Sequence, residues 1–308
     1  MEATSETHPI PVEDAPVRGA AAARGDGSAR GALPNLIVIG AQKCGTSALH
    51  FYLGLHPEIS MSEPKELNFF IKKRNWDLGL DWYRQHFDPR APVRGESSPN
   101  YTAYPSLGGV ARRMHAVVPD AKLIYLVRDP LERIAAHWVH NYAKGRIDHP
   151  LGEQELRKRK NYVSRSRYHF QLRRYVRRYS LERILVLDQA DLRHRRAETL
   201  RGVFEFADVD PGFSHPSFRR EQHRTQRKVR ATPLGERLAD RRARAGRHLL
   251  SDRAWAVLSS NWPLGRRIDT PDVREALPEK VLTRLREDAE RFRELTGQEF
   301  AHWSIWDT

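Results

Sequence analysis

The apolar positions of this 308-residue chain fall into two rhythms. Three short unbroken runs are rich in branched residues: Leu36-Ile37-Val38-Ile39, Lys122-Leu123-Ile124-Tyr125-Leu126-Val127 and Ile184-Leu185-Val186-Leu187-Asp188. They read as strands buried on both faces, the kind that a parallel sheet uses. Residues 59–61 and the stretch from Val93 read as shorter strands. Between them, apolar residues recur at helical spacing: Ala48, Leu49 and Leu53, stopped by His56-Pro57; Trp76, Leu80, Tyr83 and Phe87; 107–118, stopped by Pro119; Leu172, Tyr175 and Val176 within 168–179; and 200–206. This alternation predicts an α/β fold with a parallel central sheet and right-handed crossovers. Residues 142–160 read as a polar loop followed by a short basic helix. The part beyond Pro233 reads as helical, with Trp255, Leu258 and Trp262, then Val281, Leu285 and Phe292. Residues 1–32 have almost no large apolar side chains and read as a disordered tail. That leaves 33–308 as one domain, long enough to bury a sizeable core.

The pattern breaks most sharply after the first strand, at Gly40-Ala41-Gln42-Lys43-Cys44-Gly45-Thr46-Ser47. A strand, a tight loop and a helix start in that order aim backbone N–H groups at one point, which suits a phosphate or sulfate oxygen. Lys43 adds a mobile positive charge, and Thr46 and Ser47 add hydroxyl donors. The gap from Gly40 to Gly45 is that of a nucleotide-triphosphate loop, but Thr46 stands where the lysine of that loop belongs. An ordinary strand-to-helix connection with a chance lysine is the bland alternative.

Lysine and arginine number 53 against 39 acidic residues, a formal net charge of +14. Nucleic acid, an acidic polysaccharide or a multiply charged nucleotide each accounts for such a balance. The arginine runs at 157–178 and 237–247 are equally explained as solvated helix faces. Cys44 is the single cysteine, so no intramolecular disulfide framework exists. No apolar run approaches the ~20 residues that cross a bilayer, and the N-terminus lacks the apolar core of a signal peptide. The expectation is a cytoplasmic, bacterial protein.

The motif G-x-x-K-x-G-T-[ST]-x-L after an apolar strand resembles the 5′-phosphosulfate loop of sulfotransferases that use 3′-phosphoadenosine 5′-phosphosulfate (PAPS). The resemblance is greatest to the heparan sulfate N- and 3-O-sulfotransferase branch and its bacterial relatives. Lys65-Glu66-Leu67-Asn68-Phe69-Phe70 resembles that family's K-E-x-x-F-F segment, and Gly95, Glu96, Ser98, Pro99 and Tyr101 its G-E-x-[ST]-P-x-Y segment. Arg128-Asp129-Pro130-Leu131-Glu132-Arg133 resembles R-D-P-x-x-R, Tyr168 opens a Y-x-x-x-L-x-x-[WY] helix, and 228–233 resembles K-G-R-x-x-P. The resemblance spans about 33–306, ending in the aromatic tail at 300–306. It implies a P-loop-like three-layer fold, with PAPS as donor and no metal. It assigns Gln42, Lys43, Cys44, Gly45, Thr46 and Ser47 to the 5′-phosphosulfate, Arg128 to the 3′-phosphate, and Lys228 and Arg230 to a loop closing over the phosphates. Glu66 is then the base and Lys43 the residue that stabilises the leaving group. Read without the resemblance, Glu66 is a surface carboxylate paired with Lys65, Arg128 a partner of Asp129 or Glu132, and 228–230 a solvated basic loop.

Three departures stand out. Ser97 occupies the place of a lysine that assists catalysis in the 3-O-sulfotransferases, Ala136 that of a serine on the 3′-phosphate, and Val229 that of a glycine. The resemblance implies a hydroxyl or amine acceptor on a glycan, a glycoside or another small molecule. Animal members of the family usually carry a membrane anchor, but without a long apolar run the expectation here is no membrane anchor, and no nucleic acid as partner. A nucleotide kinase or NTPase would use the same strand–loop–helix, with its lysine elsewhere. A nucleic-acid-binding protein would explain the charge, yet no recognition helix, zinc-type Cys/His cluster or stacking platform is visible. His56, His86, His115 and His137 read as structural.

Overall fold

The computed structural model describes residues 31–219, 229–244 and 263–307. The branched runs form the strands expected of them: β1 (Leu36–Gly40), β2 (Ile59–Met61), β3 (Val93–Ser97), β4 (Lys122–Val127) and β5 (Ile184–Asp188). They make one parallel sheet in the order β2-β3-β1-β4-β5. Central β1 is buried at every position, with Leu36 paired to Gly95 on one side and to Lys122 on the other. Edge strand β5 alternates, with Leu185 and Leu187 only half-buried. The helices that flank the sheet are α1 (Thr46–Leu53), α2 (Gly79–Arg84), α3 (Val110–Val117), α4 (Pro130–Ala143), α5 (Glu153–Lys158), α6 (Asn161–Ser164), α7 (Tyr168–Leu172), α8 (Gln189–His194) and α9 (Arg196–Phe206).

After β1 the chain turns toward β3 and β2, then crosses back to β4 and β5. The sheet therefore reverses direction beside β1. In open α/β sheets a crevice opens at such a switch point, beyond the carboxyl ends of the strands. The loops leaving β1, β3, β4 and β5 all start there.

Three helices are shorter than their apolar spacing predicts. The expected helix over 76–87 is a 3-10 turn (Trp76–Leu78) followed by α2, because Gly79 between them has a φ of 82°. The helix over 107–118 starts only at Val110, since Gly109 has a φ of 70°. The helix over 168–179 ends at Leu172 and continues as irregular turns. There Tyr175 donates its hydroxyl to Tyr101 O (2.9 Å) and Tyr179 donates to Val118 O (3.1 Å), so tertiary partners outweigh helical regularity. A small antiparallel pair, Val229–Ala231 with Gly265–Arg267, was not legible as strand pattern. Trp255, Leu258, Trp262 and Lys228 lie outside the described residues. The final long helix, Glu279–Thr296, docks through Asp288, which accepts from the His169 and Phe170 N–H groups. Among the described residues no helix is long and apolar enough to cross a membrane.

Candidate active site

Each strand end contributes to one cleft of about 740 Å³, within the ~300–1,000 Å³ typical of small-ligand sites. Gln42, Lys43, Gly45, Thr46 and Ser47 line it from the β1 loop, Asn100 from the β3 side, Arg128 from β4 and Gln189 from β5. Glu66 faces the same space. Nine lysines and arginines line the cleft among the described residues, against Glu66 as the single carboxylate. That imbalance fits a multiply charged anion.

The loop conformation exposes donors. Lys43 (φ 74°) and Gly45 (φ 97°) are both left-handed, which turns the chain tightly into α1. For a lysine this backbone costs roughly 1–3 kcal/mol and persists only where its surroundings enforce it. The N–H groups of Gly45, Thr46 and Ser47 serve no backbone carbonyl among the described residues, as the opening turn of a helix requires. Gly40 is demanded by close packing: a Cβ there would stand 2.0 Å from Thr102 Oγ1.

Cys44 behaves differently from its neighbours. It is fully buried, its Sγ lies 3.7 Å from Tyr168 Oη, and it does not line the cleft. Burial pushes its thiol up to about 11. Its side chain is an anchor, and its backbone N–H donates to Ala41 O (3.2 Å). Gln42 is fixed at both ends: its carbonyl accepts from Arg133 Nη1 (3.4 Å) and its Oε1 from Arg165 Nη1 (2.6 Å).

Glu66 sits on a segment held from beneath. Leu67, Phe69, Phe70 and Ile71 are buried, and Phe69 stacks on Tyr83 with ring centroids 4.1 Å apart. The Asn68 N–H donates to Ser98 Oγ (2.9 Å), and Ser98 donates to Glu96 Oε1 (2.5 Å). Glu96 is wholly buried and also accepts from the Tyr83 and Tyr101 hydroxyls; burial is the main influence raising its pKa. Glu66 itself is left-handed (φ 68°) and its carboxylate pairs with Lys65 at 3.0 Å. The surface pairing and the cleft position thus coexist. With the carboxylate 40% exposed, an ion pair of this kind holds with at most ~1 kcal/mol and yields readily to another partner.

Arg128 donates from Nε to Glu132 Oε2 (2.7 Å) and keeps a place on the cleft wall. Its carbonyl is pinned by the Tyr168 hydroxyl (2.6 Å). Asp129 caps α4, accepting from the Leu131 (2.7 Å) and Glu132 (3.0 Å) N–H groups, and also binds both the N–H and the hydroxyl of Ser304. Arg133 is fully buried and supports the loop rather than lining the cleft. Ala136 is buried; the next residue, His137, reaches the cleft. Burial first, then Arg133, Arg165 and Lys43, hold the His137 imidazole well below its ordinary pKa, so it is neutral at pH 7. Ser97 Oγ lies 3.0 Å from His50 Nδ1. Arg230 stacks over Tyr142 at 4.4 Å and donates to Ile147 O (3.2 Å), outside the described lining of the cleft. Arg74, Asn100, Arg159, Arg165, Arg193 and Arg196 line it without having been singled out from the sequence. Single arginines in so basic a chain, and those within the 157–178 run, give no signal of their own. No group of three or more His, Cys, Asp or Glu side chains suited to a metal ion occurs among the described residues.

A family model described as Sulfotransferase domain matches residues 33–237. The human bifunctional heparan sulfate N-deacetylase/N-sulfotransferase 2 is 28% identical over 203 residues, 58% of this chain and 22% of that protein. The Caenorhabditis briggsae bifunctional heparan sulfate N-deacetylase/N-sulfotransferase 1 is 30% identical over 214 residues, 62% of this chain and 24% of that protein. The chain thus spans about a quarter of the length of these curated relatives. A sulfotransferase from Alicyclobacillus acidocaldarius superposes with a TM-score of 0.62 at 23% identity, covering 88% of this chain and 99% of that one. That likeness establishes the fold.

Proposed function

Because the chain belongs to the sulfotransferase domain family, we propose that it transfers the sulfuryl group of PAPS to a hydroxyl or amine of a small-molecule or glycan acceptor. The observation that carries this reading is the convergence, in one cleft, of the β1 loop, Lys43, Arg128 and Glu66. The residues fit the donor: unused N–H groups at 45–47 suit its 5′-phosphate, and Arg128 and the surplus cations suit its other charges. When bound, PAPS supplies an activated sulfuryl group with 3′,5′-adenosine bisphosphate as leaving group.

Glu66 accepts the proton of the attacking hydroxyl or amine. The acceptor–sulfur bond forms as the bond from sulfur to the bridging phosphate oxygen breaks, and the electron pair stays on the bisphosphate. Lys43 stabilises the charge that grows on that oxygen. Thr46 and Ser47 hold the 5′-phosphate, and the backbone at Cys44 completes the loop. Lys228 and Arg230 belong to this reading only if their loop comes over the bound nucleotide.

The test is calorimetric binding of 3′,5′-adenosine bisphosphate against ATP, for wild type and Lys43→Ala, with and without magnesium. Expected is preferential, magnesium-independent bisphosphate binding, weakened about 10- to 100-fold by Lys43→Ala, as befits one charge-assisted contact. Magnesium-dependent ATP binding, or binding of neither nucleotide, would overturn the proposal.

A further inference from the structure

Arg165, just after α6, is 8% exposed and lines the cleft. One nitrogen, Nη1, makes both of its described bonds, to Gln42 Oε1 (2.6 Å) and Asn100 Oδ1 (3.1 Å). Gln42 belongs to the β1 loop. Asn100 in turn donates from Nδ2 to Asn68 Oδ1 (3.1 Å), and Asn68 donates from its own Nδ2 to the Glu66 carbonyl (2.6 Å). The guanidinium therefore bridges the loop and the segment that carries Glu66. Arg165, the β1 loop and Glu66 line the same cleft.

The remaining donors of Arg165 are unspent. Its Nε is buried without a partner, and Nη2 makes no hydrogen bond among the described residues. No carboxylate among the described residues pairs with it, and its charged surroundings include Arg133 and Arg74 as well as Glu66. Burial and Arg133 depress its pKa to about 10, which still leaves it charged at neutral pH. A buried cation with spare donors is costly to the free protein, and an arriving anion offsets that cost. Ser97, where the resemblance implies a lysine, offers only a hydroxyl beside His50. No charge reaches the bridge from there.

We propose that Arg165 contacts the transferring sulfuryl group and supplies the positive charge that position 97 lacks. The inference rests on the donor reading given under Proposed function. Its planar donors suit the sulfuryl oxygens, and the contact is made with the sulfuryl group and not with the 5′-phosphate.

The test compares the affinity of PAPS with that of 3′,5′-adenosine bisphosphate, which lacks the sulfuryl group, for wild type, Arg165→Met and Arg165→Lys. Expected is a loss of about 10-fold or more for PAPS in Arg165→Met, with bisphosphate affinity held within about 3-fold and partial recovery in Arg165→Lys. Arg165→Gln, which keeps a donor for Gln42 and Asn100, carries the same comparison if the methionine variant does not fold. Equal losses for both nucleotides would make Arg165 a support of the loop alone and overturn the proposal, as would no loss for either. Wild type that binds neither nucleotide would remove the donor reading itself, an outcome distinct from both.

Discussion

Asp129 offers the sharpest test of how this site is held. One carboxylate oxygen, Oδ1, caps α4 through the Leu131 and Glu132 N–H groups; the other, Oδ2, takes the N–H and the hydroxyl of Ser304, 175 positions away. Asp129→Asn keeps the cap, since asparagine caps as well as aspartate, but presents an NH₂ to two donors. The Ser304 hydroxyl can rotate to accept; its N–H cannot, and an orphaned N–H costs about 1–3 kcal/mol. Losing the charge assistance adds to this, so about 2 kcal/mol is expected, or roughly 4–8 °C in Tm. Asp129→Ala loses the cap as well, another ~1 kcal/mol. Urea denaturation followed by tryptophan fluorescence reads both changes, because Trp303 adjoins the contact. In a double-mutant cycle with Ser304→Ala, coupling of about 1 kcal/mol is expected. An asparagine variant as stable as wild type, or zero coupling, would refute the claim that this contact fastens the C-terminal segment to the end of β4.

Two further outcomes follow from the same geometry. Burial and the nearby Lys65 depress the His50 pKa from 6.5 to about 4. A histidine whose folded pKa is lowered stabilises above its unfolded pKa, and that stability is lost as pH falls from about 6.5 toward 4. The loss is at most about 3 kcal/mol, less whatever its partial exposure screens. His50→Gln should therefore flatten the fall in urea midpoint between pH 7 and 4.5, and parallel curves would refute this. Gly40→Ala drives a Cβ into Thr102 Oγ1 at 2.0 Å and to 3.0 Å from Tyr125 Cε2, at a cost of about 1–3 kcal/mol. Combining it with Thr102→Ala should recover much of that cost in thermal melts, and a purely additive double variant would count against steric conflict.

The strands were legible as unbroken branched runs at 36–39, 122–127 and 184–188: β1 and β4 are buried on both faces, and edge strand β5, half-buried on one face, keeps the run all the same. The loop after β1 was legible because a glycine and lysine pattern follows directly on such a run. Helix ends were not: at Gly79 and Gly109 the decisive quantity is a positive φ, and apolar spacing carries no record of it. Arg165 was hidden for another reason. One cation among 53 lysines and arginines looks like a solvated charge until the fold shows that it is buried. Arg230 shows the reverse, a basic residue in a motif whose side chain turns to Tyr142 and Ile147.

The motifs mix two kinds of residue that sequence alone cannot sort. Lys43, Glu66 and Arg128 face the cleft, and each is flanked by a side chain that faces away and fixes the backbone. Cys44 packs against Tyr168, the Asn68 side chain donates to the Glu66 carbonyl, and Asp129 holds Ser304. The chemistry requires this pairing. A cleft lined, among the described residues, by nine lysines and arginines against one carboxylate repels itself when empty, so its cations cannot hold one another in place. Position must come from neutral or oppositely charged partners behind the wall, where low dielectric makes each hydrogen bond count for more. Substitutions at Asp129, Asn68 or Glu96 should thus disturb ligand geometry without removing any group that touches the ligand, and their effect on nucleotide affinity should track their effect on stability. Substitutions at Lys43 or Arg128 should do the opposite, weakening the hold on an anion with little change in the stability of the free protein.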